Sequence, residues 1–311
     1  MDEMKPILHI NTGVGWSATK PLSTTFQKTG YCHSGESTEN NMLYYLWERI
    51  YKPVHANYYW HTIHKHRCNK EGQVLEFVRK NTTLDWYIEY MKSRVKEEYK
   101  GVSDFSNANN DLPAKFIQQI APILQEEFDV RVTMIWRHPV RRSYSQISNY
   151  YRNYTDNDNA DRDWKDRDWK IRDQKKANEW QKIKNEYPDS ISYWKSQLDK
   201  TKNAFIPDYA SVFEKWSVFD KIYPVIMEEV WEDPTELSNF IGHKIDKMYP
   251  NVYFPERGTK GPKLENQKHQ WNSDMQDLSS DDLQEGRQKL DWVYKNFNKK
   301  FGYIPYQWEL L

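Results

Sequence analysis

The chain has 311 residues, enough for one large α/β domain with excursions or for two modest domains. Its 45 Lys and Arg balance its 45 Asp and Glu, so net charge argues for neither nucleic acid nor a membrane surface, and any anion site must be built from local charge. No apolar run approaches the roughly eighteen residues that span a bilayer. The amino terminus shows no apolar signal segment, and two cysteines, Cys32 and Cys68, make no disulfide framework; these features predict a soluble, cytoplasmic protein. Aromatic residues reach 15%, which suits rings that fill a core or stack on flat ligands.

In chain order, Ile7–Asn11 reads as a buried strand that stops at a loop with Gly13 and Gly15. Pro21 then suits the first turn of a helix. Helical spacing recurs over Glu39–Ile50 (Met42, Leu43, Leu46, Trp47, Ile50) and over Thr83–Lys96 (Leu84, Tyr87, Ile88, Met91). Pro113–Phe128 is a further helix. Val130–Trp136, "VRVTMIW", is the strongest strand and runs through Arg137-His138-Pro139 into a helix over Val140–Asn153. Tyr223–Trp231 reads as a strand closed by Asp233-Pro234, and Asp281–Phe301 as an amphipathic helix. Strands alternating with helices predict an α/β fold, a three-layer sandwich with a central parallel sheet. We expect a single domain over the whole chain, with a charged helical insertion at about residues 155–186. That insertion carries "DRDWK" twice, at Asp161–Lys165 and Asp166–Lys170; it reads as a solvated helix with i,i+4 ion pairs, or as a lid whose Trp164 and Trp169 touch substrate.

Ligands of such sheets bind at the carboxyl ends of the strands, which points to the Gly13–Lys20 loop and to the Arg137-His138-Pro139 corner. The loop has the form of a phosphate cradle. It is not a Walker loop, because Lys20 lies between Thr19 and Pro21 rather than between Gly and Ser or Thr. At the corner, Arg137 and Ser145 offer a guanidinium and a hydroxyl, a suitable oxyanion clamp. His61, His64, His66 and Cys68 lack the spacing of a paired-ligand zinc module and read as a basic loop.

With these residues in view, the sequence resembles the 3′-phosphoadenosine 5′-phosphosulfate (PAPS) dependent sulfotransferases, most closely the heparan-sulfate-type carbohydrate enzymes and their bacterial relatives. Their 3′-phosphate signature, Arg-x-Pro-x-x-Arg-x-x-Ser, is matched by Arg137, Pro139, Arg142 and Ser145. "STENNML" (Ser37–Leu43) is similar to the family's Lys-Glu-x-x-Phe-Phe, with Glu39 at the acid, and "TTLDWYIEYM" (Thr82–Met91) resembles its Ile-Asp-Trp-Tyr helix. Tyr99–Pro113 resembles the Glu-Lys-Ser-Pro segment with Lys100 at the lysine, Val225–Pro234 a strand ending Tyr-Glu-Asp-Leu, and Pro255–Lys263 the late Arg/Lys-Gly loop. The opening loop departs from the family's Lys-x-Gly-Thr-Thr-x-Leu: Trp16 stands at the lysine, Ala18 at the glycine and Lys20 at the second threonine, while Thr19 and Leu22 match.

The resemblance implies a P-loop nucleotide-hydrolase-like fold and sulfuryl transfer from PAPS, with 3′,5′-phosphoadenosine (PAP) as product and without a metal. The acceptor it implies is a hydroxyl on a small molecule or a glycan. It assigns donor contacts to Gly13, Gly15, Trp16, Ser17, Ala18, Thr19, Lys20 and Pro21, to Arg137 and Ser145, and to Arg257, Gly258 and Lys260. Glu39 is the expected base, with Glu36 and His33 as neighbours able to take the role. Lys20, or failing it Lys100, is expected to supply the charge of the missing loop lysine. Two other readings remain at this point: a nucleotide-dependent kinase, and a non-catalytic PAPS- or glycan-binding relative.

Overall fold

The computed structural model describes residues 5–13, 17, 19–33, 42–51, 83–155, 182–198, 208–249 and 278–309. The chain divides into two compact units, Met1–Trp136 with Ala210–Thr259, and Arg137–Tyr209 with Lys260–Leu311.

The first unit holds a five-stranded sheet in the order β2-β3-β1-β4-β5, with β1 Ile7–Asn11, β2 Cys32–His33, β3 Gly101–Asp104, β4 Asp129–Trp136 and β5 Ile222–Ile226. Every neighbouring pair is parallel. The expected α/β architecture with a central parallel sheet is therefore present. Residues in register share a face. One face carries Leu8, Ile10, Val102, Val130, Val132 and Met134, all buried. Each such side chain contributes about 1.5–3 kcal/mol when fully removed from water. The other face carries His9, Asn11, Ser103, Arg131 and Thr133.

Helices cover both faces. On the polar face, His9 meets Phe26 of α1 (Thr19–Lys28) edge-on at 4.6 Å, and Arg131 donates to the Ile241 carbonyl at the end of Thr235–Ile241. On the apolar face, Tyr87 of the helix Leu84–Ser93 bonds Asp104 at 3.3 Å, and Trp136 lies edge-on to Phe213 of Tyr209–Trp216. The chain leaves β1 for β2 on one side of β1 and leaves β4 for β5 on the other. In parallel sheets, ligands bind at the carboxyl ends of strands whose connections leave in opposite directions, here β1 and β4.

In the second unit, α2 (Pro139–Thr155) packs with α3 (Ser190–Leu198) and α4 (Ser280–Lys289). Gly286 of α4 is where they close: a Cβ there would stand 2.8 Å from both Trp194 and Val140. The Trp194 indole N–H donates to Ser143 Oγ at 3.0 Å, satisfying the buried ring's polar edge.

Three expectations are corrected. The strand expected over Tyr223–Trp231 stops at Ile226, and Met227–Glu232 is helical. Glu228 and Glu229 lie in that helix's first turn, where negative charge favours a helix. The terminal helix breaks at buried Leu290 into α4 and Asp291–Phe301. The segment before Pro113 contains strand β3, which was not foreseen. The two repeats, Asp161–Lys170, lie outside the described residues.

Gly101 opens β3 directly against β1: a Cβ there would stand 2.3 Å from the Ile7 carbonyl oxygen and 2.6 Å from Ile7 Cβ. Backbone cannot yield cheaply, so Gly101→Ala should lower stability by about 1–3 kcal/mol, read from the urea midpoint; an unchanged midpoint would contradict this pairing.

Candidate functional site

The first unit's candidate site is the β1–α1 connection. Gly13 has φ 88°, the left-handed region that favours glycine, and turns the chain out of β1. Its N–H donates to Asn11 Oδ1 at 2.9 Å and its carbonyl accepts from Ile135 N at 3.0 Å. Gly13 therefore shapes the loop, and its own N–H is already used. Ser17 and Thr12 are fully buried, and neither hydroxyl has a hydrogen-bond partner among the described residues. Buried hydroxyls are normally satisfied, and these two flank the carboxyl end of β1, where ligands of parallel sheets bind. Thr19 and Pro21 are buried in the first turn of α1, which contains no acidic residue. Its first N–H groups thus face no competing carboxylate of their own turn, which suits an anion. Lys20, the second residue of α1, is exposed.

Beneath the loop lies a buried polar layer. His9 Nε2 is 2.8 Å from Thr133 Oγ1, Asn11 Nδ2 donates to the same oxygen at 2.9 Å, and His9 Nδ1 is 3.2 Å from the Tyr31 hydroxyl. Burial, helped by the Arg131 charge, depresses the His9 pKa to about 3, so the ring is neutral.

The other expected site residues divide sharply. Lys100 does not stand at the loop. It precedes Gly101, which pairs with Ile7 at the amino end of the sheet, and its ammonium donates to the Gly242 carbonyl at 3.2 Å. Six strand-like residue steps separate Ile7 from Gly13, roughly 20 Å and beyond a lysine's reach. His33 is on the outer strand β2, two strand spacings or about 10 Å from β1. It leans on Tyr99, and burial with nearby Lys96 and Arg94 lowers its pKa. Gly15, Trp16, Ala18, Glu36, Glu39, Arg257, Gly258, Lys260 and the His61–Cys68 segment lie outside the described residues.

Residues missed in the sequence are Asn11, Thr12, Thr133 and Asp104. Asp104 ends β3, is fully buried, and accepts from the Ser106 N–H at 3.1 Å and from the Ser106 hydroxyl. Burial raises its pKa. The missed signal is alternation: "ILHIN" and "VRVT" place polar side chains on one face of strands that a doubly covered parallel sheet would make apolar throughout.

The second unit's candidate site is the start of α2. Arg137, Arg142 and Ser145 are 5%, 3% and 6% exposed, so two guanidiniums and a hydroxyl are almost fully withdrawn from water within nine residues. Arg142 and Ser145 are three apart on one helix face. The Arg137 carbonyl accepts the Tyr209 hydroxyl at 2.7 Å, which fixes the chain entering the helix. His138, fully buried between the two arginines, lies 3.4 Å from the Tyr294 hydroxyl. Burial first, then the Arg141, Arg137 and Arg287 charges, lowers its pKa to about 3. Arg287 itself stacks 3.4 Å from the Tyr294 ring centroid. A cluster of this kind favours a multiply charged anion.

No protein-family model matches the chain, and no curated protein matches it in sequence. Among solved structures it is similar to a sulfotransferase from Alicyclobacillus acidocaldarius, at 12% identity over 99% of this chain and 100% of that one, with a TM-score of 0.49. It is also similar to the sulfotransferase domain from the Synechococcus PCC 7002 olefin synthase, at 14% identity over 93% and 96% of the two chains, with a TM-score of 0.41. Among the described residues, no helix is long and apolar enough to cross a membrane.

The two buried histidines set a pH dependence. Their folded pKa values, about 3, lie below the ordinary 6.5, so the unfolded chain binds protons first as pH falls. The stability they contribute is full above pH 6.5 and is lost as pH falls from there towards 3. Between pH 7 and 5 the loss should be about 2 kcal/mol for each histidine, before carboxylates titrate. Urea unfolding at the two pH values should show it, and His9→Gln should remove the first unit's share; an unaltered pH slope in that variant would mean that His9 titrates alike in the folded and unfolded chain.

Proposed function

We propose that this protein is a sulfotransferase that takes PAPS as donor and a hydroxyl of a small molecule or carbohydrate as acceptor. The observation that carries the reading is the near-complete burial of Arg137, Arg142 and Ser145, three residues of the Arg-x-Pro-x-x-Arg-x-x-Ser pattern, since buried guanidiniums suit an enclosed dianion such as a 3′-phosphate. A second support is the β1–α1 loop, where Thr12 and Ser17 hold buried hydroxyls with no partner among the described residues and α1 begins without acids.

In this reading Arg137, Arg142 and Ser145 hold the 3′-phosphate, and Ser17, Thr19 and the first N–H groups of α1 hold the 5′-phosphosulfate. Gly15, Trp16 and Ala18 complete that loop, and Arg257, Gly258 and Lys260 close on the 3′-phosphate. PAPS supplies an activated sulfuryl group whose transfer forms a sulfate ester and leaves PAP. The chain's tasks are positioning and charge stabilisation. Glu39 takes the proton of the acceptor hydroxyl. Lys20 neutralises charge that grows on the departing 5′-phosphate, bending back from the second position of α1. The protein works in the cytoplasm.

Two experiments test this. Calorimetric titration should show PAP binding far more tightly than adenosine 5′-phosphate, with ATP binding weakly. Arg137→Ala should weaken PAP by roughly ten- to a hundredfold, from about 1.5–3 kcal/mol for a charge-assisted contact, and leave adenosine 5′-phosphate unchanged. Equal wild-type affinity for the two nucleotides would sink the reading.

Lys20→Ala should lower turnover of radiolabelled PAPS much more than it lowers PAP affinity, because the charge that Lys20 meets develops in the transition state. If both measurements are unchanged, Lys20 is a solvated surface lysine and the loop acts through hydroxyls and amides alone.

A further inference from the structure

The polar layer under the β1–α1 loop has no role in the reading above. It consists of His9, Asn11, Thr133 and Tyr31, each fully buried. Hydrogen-bonded polar groups in a core cost desolvation, and apolar residues of like shape are often as stable. Fold stability alone therefore does not call for this layer, and what it touches is informative. Asn11 has its Nδ2 on Thr133 Oγ1 at 2.9 Å and its Oδ1 on the Gly13 N–H at 2.9 Å. That orientation uses both ends of the amide. The backbone adds two bonds at the same place, Thr12 N–H to the Thr133 carbonyl and Ile135 N–H to the Gly13 carbonyl, each at 3.0 Å. The first two residues of the loop are thus tied to β4 by two backbone bonds, and the Asn11 side chain links the Gly13 N–H to Thr133. The Thr12 hydroxyl, buried and without a partner among the described residues, stands between the tied positions.

The Thr133 hydroxyl holds the layer together. It accepts the Asn11 amide and shares its remaining bond with His9 Nε2 at 2.8 Å. A neutral imidazole accommodates Thr133 on one nitrogen and Tyr31 on the other, as donor to one and acceptor from the other. Fixing donors before an anion arrives removes the ordering cost from binding.

We propose that Asn11, clamped by Thr133, is a positioning residue that pre-shapes the Thr12–Gly13 turn after β1 for a 5′-phosphate-type anion. This rests on the reading of the β1–α1 loop as the 5′-phosphate site. The role has a signature that a merely structural one lacks: its effect falls on the 5′-phosphate and spares the rest of the nucleotide.

Two probes separate these, PAP and adenosine 3′-phosphate, which differ only in the 5′-phosphate. Thr133→Val removes the hydroxyl and keeps the shape and the backbone bond. It should weaken PAP about three- to tenfold, the scale of one hydrogen bond, and leave adenosine 3′-phosphate unchanged. Thr133→Ser restores the hydroxyl and should restore PAP affinity. Asn11→Asp keeps an acceptor for the Gly13 N–H but loses the amide donor and adds a carboxylate under the loop; it too should weaken PAP selectively, and gives an independent reading if Thr133→Val fails to fold. Equal weakening of both probes, no weakening, or failure of Thr133→Ser to restore affinity would overturn the proposal. Should the unmutated protein bind the two probes equally, or bind neither, the 5′-phosphate reading itself fails and takes this inference with it. That outcome is seen without any variant, so the two failures are told apart.

Discussion

The pairing of β1 with β4 is the constraint on which the first unit depends. Its register sets Asn11 opposite Thr133 and lets the chain follow β4 for two residues beyond the strand before Gly13 turns away. A slip of one residue would exchange the faces. Leu8 and Ile10 would then lie in the polar layer, and His9 and Asn11 would face the apolar side with no partners. A fully buried Asn or His without hydrogen bonds is far costlier than a misplaced methylene. The polar layer therefore also acts as a register lock for the sheet that carries it.

The second unit meets the opposite problem. Its α2 start withdraws two guanidiniums from water, and nothing apolar can compensate that. The surroundings limit the cost in a recognisable way. His138, between the arginines, stays neutral and adds no third charge. Ser143 takes the Trp194 indole N–H, and a glycine at position 286 lets α4 approach Trp194 and Val140 closely. A helix start held this firmly keeps its charged side chains in one arrangement, which is what the proposed 3′-phosphate contact needs.

Legibility followed length and apolar content. β4, eight residues long, and β1, running into a glycine turn, were evident because their apolar residues cluster between turn signals. β2 and β3, two and four residues long, carry too few side chains to register; they exist because longer neighbours supply their hydrogen bonds. The loss of β3 had a direct consequence. With no strand there, Lys100 was free to be placed near the loop, whereas the register puts it at the sheet's far end. The Arg137–Ser145 segment was legible by its pattern, but its burial was not, since nothing in ten residues of sequence tells which side chains a distant helix will cover.

The same logic narrows where the charge at the β1–α1 loop originates. Lys100 is out of reach, and the Gly13 N–H is already bound to Asn11. What remains among the described residues is two buried hydroxyls, the first N–H groups of α1 and the exposed Lys20. Hydroxyls and amides are dipoles fixed in place before an anion arrives, so they need no reordering when it binds. A lysine on a flexible stem can follow charge as it develops. In the proposed reading, the floor built on Asn11 and Thr133 holds the anion and Lys20 meets the charge that grows at transfer.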